Sequence, residues 1–201
     1  PGAAQSVIRA GHLTIDRHHE DYYALNLLNY LFGGHFMARL NQNLRQDKGY
    51  SYGFHSSVDW TTGPSSLVAW GSVQTEVTKE SVIEILKEFD DIHGSRPVGN
   101  EEFASARDGL LKGFASQFET QDQLVSQICR ALMFGLPDDY YTGLRTNYEA
   151  LTVDDINRVA RQHLKSDNLM LLVVGDREVI EPQLEKLGYP IVHVNHQGQE
   201  L

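Results

Sequence analysis

The stretch Arg39–Trp60, RLNQNLRQDKGYSYGFHSSVDW, most constrains what the chain can fold into. Leu40 and Leu44 recur at helical spacing as far as Lys48, whereas Tyr50, Tyr52 and Phe54 alternate as residues of a strand do, and are expected to share one face. Such a change of period demands a sharp reversal. Gly49 supplies it, because a glycine just past a helix adopts the left-handed conformation that closes the helix and releases the chain as a strand. Arg45 therefore falls on the last helical turn and Tyr52 on the strand, seven positions later, where the two side chains can converge.

Their chemistry suits one task. A guanidinium is always charged and offers planar donors, and a phenol offers one directional O–H, so the pair can bind a carbonyl or the oxyanion that develops from it. The plainer reading is structural: arginine is favoured by the dipole at a helix C-terminus, and tyrosine packs well in strands.

The chain before this stretch reads as a strand over residues 4–15 and a helix from Asp21 to Phe32, broken by Gly33-Gly34. A second short helix carries Met37, Leu40 and Leu44 on one stripe. Two extended segments, 50–60 and 65–76, are joined through Thr61-Thr62-Gly63-Pro64 and should pair as a hairpin. Thr78 and Asn100 are expected to cap the next two helices, and Thr120-x-x-Gln123 and Thr152-x-x-Asp155 read as capping boxes of later ones. Pro137–Ala150 reads as a further helix, Leu169–Val174 as a strand, Gly175–Gly188 as a last helix and Ile191–Val194 as a weak final strand. The grouping predicts an α+β fold, an antiparallel or mixed sheet packed on one face by helices.

Seventeen Lys and Arg against 27 Asp and Glu give a formal charge of −10, which argues against nucleic acid or an anionic membrane as partner. One cysteine, Cys129, excludes an internal disulfide; it lies among Leu124, Ile128 and Ala131, and a buried thiol is expected. No H-x-x-E-H or G-x-S-x-G occurs, so the chain's own metal ligands are expected to be none. His18-His19-Glu20-Asp21 reads as a solvated helix start, since neighbouring residues point in different directions. His35 and His55 flank the Arg45/Tyr52 region and are left out of the site. The paired tyrosines Tyr22-Tyr23 and Tyr140-Tyr141 read as packing.

The run LNLLNYLFGGHFMARLNQNLRQDKGYSYG, with the opening PGAAQSVIRAG, HHEDYYAL, FGLPDDYY and the closing LLVVGD, resembles the second, non-zinc-binding domain of the pitrilysin/insulinase family of zinc peptidases, the inverzincins. Ala38 stands where such domains often have Ser. The resemblance covers nearly the whole chain and implies an α/β-roll of the LuxS/MPP-like metalloenzyme type. It implies that residues 1–201 are one C-terminal, zinc-free domain of a longer chain, inactive alone. Its partner would be a homologous H-x-x-E-H half, fused or separate, that carries Zn2+ and cuts extended peptides. Arg45 and Tyr52 would bind substrate there, and Tyr52 would support the tetrahedral intermediate. The alternative is a catalytically silent structural or peptide-binding module of a larger assembly. A bacterial periplasmic or cytoplasmic setting fits the resemblance.

Overall fold

A computed structural model describes residues 2–201. Four strands, β1 (Gln5–Thr14), β2 (Ser51–Asp59), β3 (Ser65–Gln74) and β4 (Met170–Val174), form one sheet in the order β2-β3-β1-β4, every pair antiparallel. The expected hairpin is β2–β3. Strict alternation fixes which face is buried: in β3, Leu67, Ala69 and Val73 point into the core while Val68, Trp70 and Ser72 point the other way.

The helices are α1 (Tyr22–Asn29), α2 (Arg39–Asn41), α3 (Thr78–Asp91), α4 (Asn100–Ala115), α5 (Gln121–Met133), α6 (Tyr140–Glu149), α7 (Val153–His163) and α8 (Arg177–Leu184). Leu25, Leu28 and Phe32 of the first helical segment, Val82, Ile85 and Phe89 of α3, and Ile156 and Val159 of α7 meet the buried face of the sheet in one core. The opposite face stays open, with Val7, Leu172 and Val174 exposed along facing positions of β1 and β4. α1 runs on through a wider π-type turn, Tyr30–Gly34, before His35 becomes extended. Gly33 serves close packing: a Cβ there would lie 2.5 Å from the backbone nitrogen of Ser56 on β2.

Several local expectations change. Thr78 and Asn100 lie inside their helices, whose caps are Val77 and Gly99; the Thr78 hydroxyl is drawn instead to Ser6 Oγ and the Thr75 carbonyl. Both capping boxes are present. Ile191–Val194 forms no strand, only an isolated bridge between Val194 and Glu200. Met37 is exposed rather than part of the buried stripe. Cys129 is exposed, because α5 is turned with its apolar side outward: Gln127 is the buried position, and Leu124, Ile128 and Leu132 face solvent.

The start of α1 is solvated only in part, with His18 and Glu20 exposed and Asp21 turned inward. Asp21 is only 5% exposed and receives Arg158 Nη2 at 2.6 Å on one oxygen and His163 Nε2 at 2.8 Å on the other, tying α7 to α1. The hydrogen bond from Arg158, aided by that from His163 and opposed by burial, holds its carboxyl down at about 2. A depressed folded-state pKa contributes stability that is complete above the unfolded value and lost as pH falls toward the folded one. The contribution is on the order of 2 kcal/mol at neutral pH, about half of it gone by pH 3. Urea unfolding of wild type and Asp21→Asn at pH 7 and pH 3 should give a stability gap that narrows in acid. An equal gap at both pH values would refute this account.

Candidate functional site

The corner between α2 and β2 is built by the motif Arg39-Leu40-Asn41. Leu40 and Leu44 are fully buried and set the helix down on the core. Arg39, itself buried, grips Glu102 of α4 with two parallel hydrogen bonds of 2.7 and 2.6 Å and donates to the Arg96 carbonyl at 2.6 Å. Asn43 donates to Glu88 of α3 at 2.7 Å and to Glu84 at 3.0 Å, and Lys48 pairs with Glu84 at 2.9 Å. Asn41 has no exposed surface. Its carboxamide oxygen accepts the Phe54 N–H at 3.1 Å, and its NH2 donates to the Phe36 carbonyl at 2.7 Å, so one side chain joins the loop before the helix to the strand after it.

The helix ends as the sequence requires, though in a wider form. Gln42–Asp47 has π-type turns; Lys48 N–H reaches the Asn43 carbonyl at 3.0 Å, Tyr50 N–H reaches that of Leu44 at 2.9 Å, and Gly49 takes φ +67°. Strand β2 then departs from simple alternation. Ser51 pairs with Val73 and Phe54 with Gly71, so Tyr52 and Gly53 together oppose the single residue Ser72. This is a β-bulge. Ser51 Oγ, which accepts the Gly53 N–H at 3.0 Å and lies 2.7 Å from the Ser72 carbonyl, holds it. The extra residue breaks the expected common face: Phe54 is buried in the core and Tyr52 is 88% exposed.

Arg45 is half-buried on the last turn, its Cζ 4.5 Å from the centroid of Phe36. Among the described residues no carboxylate pairs with it, and no hydrogen bond joins it to Tyr52. The result is a cation resting on an aromatic face and a phenol projected into solvent, both carried by one helix-to-strand corner. The sequence points to this pair but not to Phe36, Asn41 or the bulge; Asn41 lies within the Arg39-Leu40-Asn41 motif, yet nothing local marks its amide as a buried clamp.

The histidines fall into different roles. His35 rests against Tyr30, with ring centroids 4.4 Å apart, and its Nδ1 is buried without a partner. His55 is exposed on β2. His19, Asp21 and His163 lie close enough for their ligand atoms to fall within 4.8 Å of one another, but each Asp21 oxygen is already hydrogen-bonded, one to Arg158 and one to His163, which reads as a charge lock between helices. The tyrosine pairs pack as expected: Tyr22 on Tyr23, Tyr140 on Tyr141, and the buried Arg17 guanidinium 3.5 Å above Tyr22.

Comparison with known proteins identifies the family and the fold. Residues 3–110 match the family model described as the peptidase M16 inactive domain. An uncharacterised zinc protease of Mycobacterium tuberculosis H37Rv is 27% identical over 179 residues, covering 86% of this chain but only 39% of that protein. The M16 inactive domain from Pseudomonas fluorescens superposes with a TM-score of 0.77 at 22% identity, over 86% of this chain and 41% of that one. A protease from Helicobacter pylori gives 0.73 at 16% identity, over 87% and 42%. The two solved structures share the fold, and the family match spans the strand β1, the helix-to-strand corner and the hairpin that together carry Arg45 and Tyr52. The chain belongs to the M16 peptidase family, in its inactive-domain branch.

Proposed function

We propose that this chain is the zinc-free half of a zinc-dependent endopeptidase, and that Arg45 and Tyr52 position peptide substrate at a zinc site carried by a homologous H-x-x-E-H half, fused or separate. The observation that carries this reading is the bulge, which turns a tyrosine out of the core and holds its backbone while leaving its hydroxyl free. The chain has no H-x-x-E-H of its own, so its residues do not fit a catalytic zinc; the ion and its water, which would attack the scissile carbonyl, belong to the partner.

What this chain contributes is orientation and charge stabilisation. Tyr52 O–H donates to the carbonyl oxygen of the scissile bond as negative charge develops there, an interaction that strengthens toward the transition state. Arg45, free of any internal carboxylate among the described residues and backed by Phe36, holds a neighbouring substrate carbonyl through its planar donors. Asn41 acts through these two: it fixes Phe36 beneath the guanidinium and the strand beyond the bulge.

In the enzyme assembled with its zinc-bearing half, Tyr52→Phe should lower kcat by about 10²–10³-fold, as loss of a preorganised oxyanion donor does, with unfolding unchanged. Near-wild-type turnover would refute the role. Asn41→Ala leaves the Phe54 N–H and the Phe36 carbonyl unpaired and should destabilise the chain by about 1–3 kcal/mol. Thermal unfolding tests this, and an unchanged midpoint would show that the clamp is dispensable.

A further inference from the structure

We infer that His55, together with Arg9 across Trp70, forms a side-chain subsite beside Tyr52 that prefers a substrate residue bearing a carboxylate. The inference rests on the proposed peptide-positioning role of Tyr52 and adds a specificity to it.

The bulge creates the juxtaposition. Because Tyr52 and Gly53 both oppose Ser72, an outward position of β3, Tyr52 emerges on the same open face of the sheet as His55, while Phe54 and Ser56 point into the core. Gly53 lies between them and leaves room for the imidazole: a Cβ at 53 would meet His55 Nε2 at 3.0 Å. His55 thus leans back toward the bulge, its ring 6.2 Å from that of Trp70. At roughly 3.3 Å per strand residue, His55 lies within about 10 Å of Tyr52. A peptide held at Tyr52 can lay a side chain two or three residues from the scissile bond against it.

Register extends the row. His55 faces Trp70 on β3, and Trp70 faces Arg9 on β1. Arg9 is exposed and has no ion pair among the described residues, and no protein group hydrogen-bonds the His55 ring there. Trp70 supplies an apolar floor between the two. The chain has a formal charge of −10, yet the only carboxylate at an outward position of the four strands is Asp59, at the far end of β2 opposite Ser66. A carboxylate entering this row meets the Arg9 guanidinium and an imidazole able to donate a hydrogen bond, whereas a lysine or arginine side chain meets the like charge of Arg9.

The test uses the enzyme assembled from this chain and its zinc-bearing half, with peptide pairs that differ by Glu against Gln at single positions within three residues of the scissile bond. At one position Glu should be preferred in kcat/KM by about two- to fivefold, the scale of an exposed ion pair, and the preference should reside in KM. In the double variant His55→Gln, Arg9→Gln the Glu-to-Gln ratio should fall to about one; a fold-supporting role for these side chains would change both peptides alike. No Glu preference at any position, or one that survives in the double variant, overturns the subsite. Tyr52→Phe, assayed in parallel, separates the two ideas: strong loss of turnover there with no Glu preference overturns the subsite alone, and full turnover overturns the reading on which it rests.

Discussion

The helix-to-strand corner depends on the carboxamide of Asn41. Buried polar atoms are tolerated only when they are paired, and this side chain has its oxygen on the Phe54 N–H and its NH2 on the Phe36 carbonyl. Those two partners belong to different segments, the loop before α2 and the start of β2, which meet at this corner. Phe54 anchors β2 in the core one residue after the bulge, and Phe36 lies beneath the Arg45 guanidinium. One buried amide therefore joins the segments that carry the two functional side chains without touching either.

The surrounding charges make the clamp rigid. Arg39 binds α4 through Glu102, while Asn43 and Lys48 bind α3 through Glu84 and Glu88, and Glu88 is paired in turn with Arg96. The contacts to Glu84, Glu88 and Glu102 come from elements distant in sequence, so the short α2 segment is held from both sides although it has little helical length of its own. A helix this short is not stable by propensity; tertiary partners must hold it. The cation of the site sits on that externally supported turn, over the Phe36 ring.

Much of this was readable from the residues, and what was not has a common cause. The Gly49 reversal, the β2–β3 hairpin and the boxes at Thr120 and Thr152 are local, specified by side chains within a few positions of the backbone they control. The bulge is not local: it exists only as a mismatch between the number of residues on β2 and on β3, and period alone placed Tyr52 with Phe54. Thr78 failed as a cap for the same reason, since Ser6, 72 positions away, competes for its hydroxyl. Periodicity also reveals that α5 has an apolar stripe but not which way it faces, and Gln127, bonded to Gln117 and Tyr141, turns that stripe outward. Asp21 looked like a solvated residue because its partners, Arg158 and His163, lie on α7.

The bulge also settles a conflict that an edge strand faces. β2 lies at the end of the sheet, where unpaired backbone groups invite pairing with another chain. An inserted residue twists such an edge and interrupts its regular ladder, and it re-aims a side chain at the same place. Had β2 kept strict alternation, Tyr52 would occupy the face now held by Ser51 and Phe54, and its hydroxyl would need a partner inside the core. With the insertion, the core keeps Phe54, packed so close to β3 that a Cβ on Gly71 would lie 2.7 Å from the Gly53 carbonyl, and the phenol is left without an internal obligation. Packing and exposure, which compete at most tyrosines, are here assigned to two different aromatic residues of one strand.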